Sequence, residues 1–267
     1  MVEVVSTSAL SARLAGLIWG EAKTGKTTWA MSLPGKKLLI NFDPDGYLSV
    51  AHRDDIDILD LAPLPPGEQI TEGKKAATYI INNKDKYTSV VVDSLTAIVI
   101  ASLYDAIAKG VGKSMVFAPS LETPGLAAYG ARNNNASDIV GKILRATAQT
   151  KMNCFFIAHS DDPEYDAAGK TIVQHTILAP AKVRMQSTFA VSEIYHLALA
   201  SGNRRTVYLA PFGEKRPMGS RIFDTKDVPK FDLNYDIYSP DEGQPCSLSN
   251  IIAKFQETRS KLRTPPK

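Results

Sequence analysis

Short apolar runs alternate along the chain with segments in which apolar residues recur every three or four positions. Continuous apolar runs of this kind predict strands that are buried on both faces of a sheet. The predicted strands cover residues 14–19, 37–42, 89–92 and 153–159, and the predicted helices cover 27–33, 74–83, 94–109 and the segment around 139–144. We therefore predict an α/β fold with a mainly parallel central sheet that is flanked by helices.

The remaining segments carry turn and loop signals. Residues 59–73 are rich in proline and glycine and predict a surface loop, and residues 111–130 predict a second long loop. Two later strands, 193–199 and 205–210, flank Ser201-Gly202-Asn203, which is a typical hairpin turn. This spacing predicts an antiparallel hairpin in the C-terminal region.

Composition narrows the class of protein. The chain has 267 residues, a net charge of +3 and two cysteines, Cys154 and Cys246. Two cysteines are too few for a disulfide framework or a cysteine-based zinc site, which favours a reducing compartment. We expect a cytoplasmic protein without a membrane partner, because the start lacks signal-peptide features and no apolar run reaches the roughly 20 residues of a membrane span. The small net charge does not by itself indicate nucleic acid binding.

A phosphate-binding motif follows the first predicted strand. Residues 20–27 match G-x-x-x-x-G-K-[ST] at every fixed position, between a predicted strand and a predicted helix. In such a P-loop the backbone N–H groups surround a phosphate, Lys26 neutralises the β- and γ-phosphates, and the Thr27 hydroxyl binds Mg²⁺. The alternatives are a glycine turn without a ligand and, for Lys23, a solvated loop residue. The predicted nucleotide-binding residues are Gly20, Glu21, Ala22, Lys23, Thr24, Gly25, Lys26, Thr27 and Thr28.

A carboxylate near the Thr27 hydroxyl would complete a site for the Mg²⁺ ion that accompanies ATP. Asp93 ends the apolar run 89–92 and has the place of a Walker B aspartate, which holds Mg²⁺ together with Thr27. Its alternative role is to cap the helix that follows. The presence of the P-loop favours the metal role, so ATP and Mg²⁺ are the predicted cofactors.

Hydrolysis also needs a base near the γ-phosphate. Asp43 follows the second predicted strand and is a candidate, although Asp43 and Asp45 both belong to a turn-forming Asp-Pro-Asp-Gly sequence. His159 ends the fourth predicted strand at the same sheet edge and could sense the γ-phosphate through a hydrogen bond. The predicted catalytic residues are Lys26, Asp43, Asp93 and His159.

These motifs together resemble the RecA-type ATPase core. Residues 90–94 are similar to that family's Walker B segment, residues 125–132 resemble its first DNA-binding loop, and residues 155–159 resemble its nucleotide-sensing strand. The length is closest to phage-encoded RecA-like nucleotide-binding proteins. The resemblance implies a RecA-like P-loop NTPase core over residues 1–235, followed by a C-terminal tail with a basic helix over residues 236–267.

The resemblance also implies contacts outside the P-loop. A second DNA-binding loop is expected between residues 160 and 182, and basic residues after the strand near 206–210 are expected to reach a neighbouring subunit's nucleotide site. The implied DNA-binding residues are Tyr129, Arg132, Lys142, Arg145 and Lys182, and the implied trans-acting residues are Lys215 and Arg216. Each of these residues could instead be an ordinary solvated side chain.

Three functions are compatible with this sequence. The first is an Mg²⁺-dependent ATPase that binds single-stranded DNA in phage recombination, annealing or repair, and forms a homo-oligomeric ring or filament in the host cytoplasm. A single-stranded DNA-binding protein is its expected further partner. The second is a slow, nucleotide-switched protein that recruits replication or recombination partners. The third, a P-loop kinase, is disfavoured because the arginines are scattered and form no compact lid.

Overall fold

The computed structural model describes residues 13–44, 46–114, 117–167, 169, 171–200, 204–233 and 247–263. Its strands are β1 (Ala15–Gly20), β2 (Lys37–Asn41), β3 (Ile56–Asp60), β4 (Ser89–Asp93), β5 (Asn153–His159), β6 (Glu164–Tyr165), β7 (Ile172–Gln174), β8 (Glu193–Leu199), β9 (Arg205–Tyr208) and β10 (Lys230–Leu233). Its α-helices are α1 (Lys26–Ala30), α2 (Pro66–Asn82), α3 (Leu95–Ala108), α4 (Gly125–Gln149), α5 (Ala181–Phe189) and α6 (Leu248–Arg263).

One eight-stranded sheet organises the described chain, in the order β10-β9-β8-β1-β5-β4-β2-β3. The strands from β8 to β3 in this order run parallel, and β9 and β10 extend the sheet by antiparallel pairing. This arrangement confirms the predicted α/β fold with a mainly parallel sheet and a C-terminal antiparallel region. Register pairs Gly20 with His159, and Asn41 with Asp93, so the motif-bearing strand ends meet at one edge of the sheet.

Helices cover both faces of the sheet, because the central strands are apolar on both sides. Leu17 and Val92 lie in the core formed with α2, α3 and α4, whereas Ile18, Val91 and Phe155 lie in the core shared with α1 and α6. The first turn of α6 is fixed to the end of α1, where the backbone N–H of Leu248 donates to Ser32 Oγ at 2.9 Å. No helix in the described part of the chain combines the length and apolarity that a membrane span requires.

The predicted surface loop at 59–73 is wrong over most of its length. Residues 56–60 form the edge strand β3, and α2 begins at Pro66 rather than near residue 74. Proline is accepted in the first turn of a helix because its missing N–H would have no partner there. The turn-like composition of this segment therefore marks the beginning of a helix.

The predicted loop over residues 111–130 is wrong in its last part, because α4 begins at Gly125. The segment expected to form a second DNA-binding loop folds into the small β6-β7 hairpin, and the first turn of α5 begins at Ala181. The hairpin turn at 201–203, Asp45 and the proposed boundary between residues 235 and 236 lie outside the described residues.

Candidate nucleotide-binding site

The P-loop connects the end of β1 to the beginning of α1. Gly20 has a φ of 155°, and a Cβ there would lie 2.1 Å from the carbonyl oxygen of Leu197 on β8. Gly25 precedes α1 with a left-handed φ of 91°. Both positions therefore require glycine, for close approach at Gly20 and for conformation at Gly25.

Lys26 is buried at the centre of the loop. Its Nζ donates to the carbonyl oxygens of Gly20 at 3.0 Å and Glu21 at 2.6 Å, and it forms no ion pair with any described residue. Burial lowers the pKa of Lys26 to about 8, although the carboxylates of Asp93, Asp43 and Glu21 oppose this shift. The ammonium group is thus held in a dry position with backbone partners only, where an anion would stabilise its charge.

Asp93 lies directly across from the first turn of α1. Thr27 Oγ1 donates to Asp93 Oδ2 at 2.6 Å, and Asp93 is only 3% exposed. Burial raises the pKa of Asp93 to about 6, while the hydrogen bond from Thr27 opposes the shift. A hydroxyl and a carboxylate in contact supply the oxygen ligands that Mg²⁺ prefers. The capping alternative is not realised by Asp93, because Ser94 caps α3 by accepting the N–H of Ala97.

Asp43 and His159 form the next pair along the sheet edge. His159 Nε2 lies 3.3 Å from Asp43 Oδ2, and the backbone N–H groups of Phe42 and Asp43 donate to the carbonyl oxygen of Asp93 at 2.5 and 3.2 Å. Burial acts to raise the pKa of Asp43, but hydrogen bonds from His159 and Ser94 outweigh it and the pKa is lowered. Asp43 is therefore ionised at neutral pH, as a general base must be.

A cavity of about 590 Å³ joins these groups. A volume of this size falls within the range of small-molecule binding sites. The lining residues are Ala22, Lys23, Gly25, Lys26, Thr27, Thr28, Asp43, Pro44, Gly46, Ser49, Asp93, Ile157, His159 and Arg205. All four predicted catalytic residues thus face one cavity, together with five of the other predicted P-loop residues.

Comparison with protein families agrees with this geometry. Residues 12–213, about three quarters of the chain, match the AAA domain family. The chain belongs to this family. It is an AAA-type P-loop NTPase domain. Comparison with curated proteins returned no match.

The sequence prediction did not include two residues of the AAA domain that lie at the site. Arg205, the first residue of β9, donates from Nε to the carbonyl oxygen of Thr24 at 3.1 Å. Asn41, the last residue of β2, donates from Nδ2 to the carbonyl oxygen of Asp43 at 2.9 Å and is fully buried. A polar residue at the end of an apolar strand is a signal that could have indicated Asn41. No local signal indicates Arg205.

Some of the implied DNA-binding residues lie together on the AAA domain. The Arg132 guanidinium lies 4.7 Å from the centre of the Tyr129 ring, and Lys182 donates to the side chain of Asn134, two residues after Arg132 on α4, at 3.1 Å. Lys142 is instead paired with Asp138 at 2.9 Å. Arg145 is exposed and lies about 20 Å along α4 from Arg132 at 1.5 Å per residue. Lys142 and Arg145 are therefore not brought next to Tyr129 and Arg132.

An apolar groove of about 340 Å³ lies beside Arg132. Its other lining residues are Thr96, Val99, Ile100, Leu103, Asp161, Leu178, Ala179 and Pro180. Thr96 Oγ1 accepts the backbone N–H of His159 at 3.0 Å and donates to the carbonyl oxygen of Leu178 at 3.3 Å. The groove is therefore connected by hydrogen bonds to the strand end that carries His159.

The two implied trans-acting residues lie just after the matched residues and differ in their surroundings. Lys215 is half-buried, and its pKa is lowered by burial and partly restored by Glu21 of its own P-loop. Arg216 is exposed and donates from Nη1 to the carbonyl oxygens of Gly213 at 3.0 Å and Lys215 at 2.8 Å. Lys215 is thus electrostatically coupled to the P-loop of its own chain, whereas Arg216 is exposed to solvent.

Proposed function

We propose that this AAA domain is an Mg²⁺-dependent ATPase that binds single-stranded DNA and acts in phage DNA recombination, annealing or repair. The observation that carries the hydrolytic part is the hydrogen bond of 2.6 Å between Thr27 and Asp93 beside the buried ammonium of Lys26. A P-loop lysine, a P-loop threonine and a strand-terminal aspartate are the groups with which P-loop NTPases hold a nucleoside triphosphate and its metal.

The donor set fits magnesium. Mg²⁺ is usually held by one or two protein carboxylates together with substrate phosphates, so Thr27 and Asp93 would hold the ion here. When bound, Mg²⁺ neutralises charge on the phosphate oxygens and orients the leaving group. Lys26 supplies a further positive charge, and the backbone N–H groups of the P-loop orient the phosphates.

Asp43 is the proposed base for hydrolysis. It accepts a proton from the attacking water while the water oxygen bonds to the γ-phosphorus, the bond from that phosphorus to the bridging oxygen breaks, and ADP leaves. His159 holds the Asp43 carboxylate at 3.3 Å. We expect Asp43→Asn to bind ATP with unchanged affinity and to lose about 100-fold in turnover. Normal turnover by this variant would assign the base to another group.

The DNA-binding part of the proposal is supported by the Tyr129-Arg132 pair. Aromatic rings stack on bases and arginines contact phosphates in proteins that bind single strands without sequence preference. The hydrogen bonds of Thr96 connect the neighbouring groove to His159, which gives a route by which bound DNA would influence the nucleotide site. Affinity for an oligonucleotide should fall as salt rises, because phosphate contacts release counterions.

The proposal includes a homo-oligomer, in which Arg216 of one subunit stabilises charge at the next subunit's site. Its exposure supports this role better than the half-buried position of Lys215 does. Arg216→Ala protomers mixed with Lys26→Ala protomers test it. Partial recovery of hydrolysis in the mixture would support a shared site, and an inactive mixture would contradict it.

The apolar lining of the groove beside Arg132 favours a second candidate, in which a slow nucleotide switch recruits replication or recombination partners. Hydrolysis measured with and without single-stranded DNA separates the two. Strong stimulation by DNA, lost in Arg132→Gln, supports the first function. A slow rate that DNA leaves unchanged, together with a partner bound only in the ATP state, supports the second.

A further inference from the structure

Arg205 lies on the side of the P-loop that faces away from the metal and water-activating groups. β9 is separated from β1 by β8, whereas the strands that bear Asp93 and Asp43 lie beyond β5 on the other side of β1. β9 runs antiparallel to β8, and its first residue pairs with Leu199 at the end of β8. The beginning of β9 therefore reaches the same edge of the sheet as the P-loop.

Contacts bring the Arg205 side chain into the cavity. Its Nε donates to the carbonyl oxygen of Thr24 at 3.1 Å, and Arg205 lines the cavity together with Lys26 and Thr28. The residue is half-buried, so its charge is only partly solvated. A guanidinium in this setting is well suited to phosphate oxygens, because its planar N–H groups match their geometry.

The charges along the cavity are unevenly distributed. The carboxylates of Asp43 and Asp93 lie on the flank proposed for Mg²⁺ and the γ-phosphate, and Arg205 lies on the opposite flank. A bound triphosphate spans both flanks and has negative charge along its whole length. Mg²⁺ and Lys26 would serve the β- and γ-phosphates, so a cation on the opposite flank would add positive charge beside the phosphates nearer the nucleoside.

We propose that Arg205 is a nucleotide-binding residue for the diphosphate portion that ADP and ATP share. This inference rests on the proposed function, because it requires that the P-loop binds a nucleotide. A residue that contacted the γ-phosphate would instead favour ATP over ADP. This role also differs from that of a residue that only holds the P-loop backbone through Thr24.

The test is calorimetric titration of ADP and of Mg²⁺-ATP into the full chain carrying Arg205→Gln, Arg205→Lys or Arg204→Gln. Arg204 is the matched control because it is the exposed neighbour with the same charge. We expect Arg205→Gln to weaken the binding of both nucleotides by about 10-fold, and Arg205→Lys to weaken it by about 3-fold because lysine keeps the charge but loses the planar N–H geometry. Arg204→Gln should bind both nucleotides normally. Thermal unfolding without nucleotide verifies that each variant is folded, and Arg205→Met takes the place of the glutamine variant if that variant does not fold.

Several results would overturn the inference alone. They are unchanged affinity in Arg205→Gln, a loss restricted to ATP, and an equal loss in the glutamine and lysine variants. The last result would mean that Arg205 acts only through its hydrogen bond to the carbonyl oxygen of Thr24. A wild-type chain that binds neither nucleotide would instead overturn the proposed function and this inference with it.

Discussion

Two buried lysines at opposite ends of the sheet differ in how their charge is satisfied. Lys37, which is fully buried at the start of β2, has its Nζ 2.5 Å from Asp55 Oδ2, and Arg53 binds the same carboxylate at 2.6 Å. Lys26, at the opposite edge, has backbone carbonyl partners, and its pKa is lowered to about 8 mainly by burial. One ammonium group is neutralised within the fold, and the other has no carboxylate within ion-pair distance among the described residues.

The neighbouring carboxylates repeat this contrast. Hydrogen bonds from Arg53 and Lys37 hold the pKa of Asp55 well below its usual range despite partial burial. Burial raises the pKa of Asp93 to about 6. The charges of Lys37 and Asp55 are therefore stabilised by each other in the folded state, whereas the charges of Lys26 and Asp93 cost stability that ligand binding would restore.

The largest expected effect concerns hydrolysis. Lys26→Met should reduce ATP turnover by at least about 1000-fold, because it removes the charge that stabilises the transferred phosphoryl group. Lys37→Met is the matched control and should leave turnover unchanged. A phosphate-release assay at saturating Mg²⁺-ATP measures both, and comparable activity in the two variants would remove Lys26 from the site.

The same two variants should change stability in opposite directions. Lys37→Met leaves Asp55 without one of its partners and should lower the free energy of unfolding by about 2 kcal/mol at pH 7. Lys26→Met removes a desolvated charge and should raise the free energy of unfolding by about 1 kcal/mol. Because the folded pKa of Lys26 is lowered, this gain is complete below pH 8 and should disappear as the pH rises towards the unfolded value of 10.5.

Urea unfolding without nucleotide at pH 7 and pH 10 measures these differences. If both variants lose stability equally, the contrast between the two sheet edges is absent.

The sequence predicts a site residue well when the residues that it contacts are close to it along the chain. Lys26 and Thr27 are predictable because the whole P-loop is one continuous motif, and Asp93 is predictable because it ends an apolar strand. Arg205 is separated from Thr24 by 181 positions and reaches it only through the order of the strands. Strand order results from long-range pairing, so no local pattern contains it.

The beginning of α2 shows a different limit. Pro65, Pro66 and Gly67 have the composition of a loop, yet Pro66 opens a helix of 17 residues. Proline at the first helical position and proline in a loop have the same local conformation, so only the packing that follows decides between them. Here Gly73 permits that packing, because a Cβ at this position would lie 2.8 Å from the ring of Phe42.

Effects of similar size on stability are expected for the two aspartates. Asp93→Asn should raise the free energy of unfolding by about 2 kcal/mol at pH 7, because its pKa in the folded state lies above the unfolded value of 3.8. The wild type recovers this difference as the pH falls from about 6 towards 4, below which the carboxyl is protonated in both states. Asp55→Asn removes the carboxylate that pairs with Lys37 and should lower the free energy of unfolding by about 1 kcal/mol. The loss is small because Asp55 is partly solvated.

The two aspartate variants are compared by thermal unfolding between pH 4 and pH 8. Since the folded pKa of Asp55 is lowered, its contribution should persist above the unfolded value and fade only in stronger acid. A destabilised Asp93→Asn would mean that the carboxylate is held by contacts that stabilise its charge even without a metal.

The smallest expected effect concerns His159 and Arg53, each of which holds one carboxylate. His159 lies 3.3 Å from Asp43 at the edge that binds nucleotide, and Arg53 contacts Asp55 at the other edge. His159→Gln keeps a hydrogen-bond donor, so we expect kcat to fall by about 5-fold without a change in unfolding. Arg53→Gln should lower stability by about 1 kcal/mol and leave kcat unchanged. If His159→Gln changed stability but not kcat, the Asp43-His159 pair would have a structural role. The contrast between the two edges of the sheet would then apply only to Lys26 and Asp93.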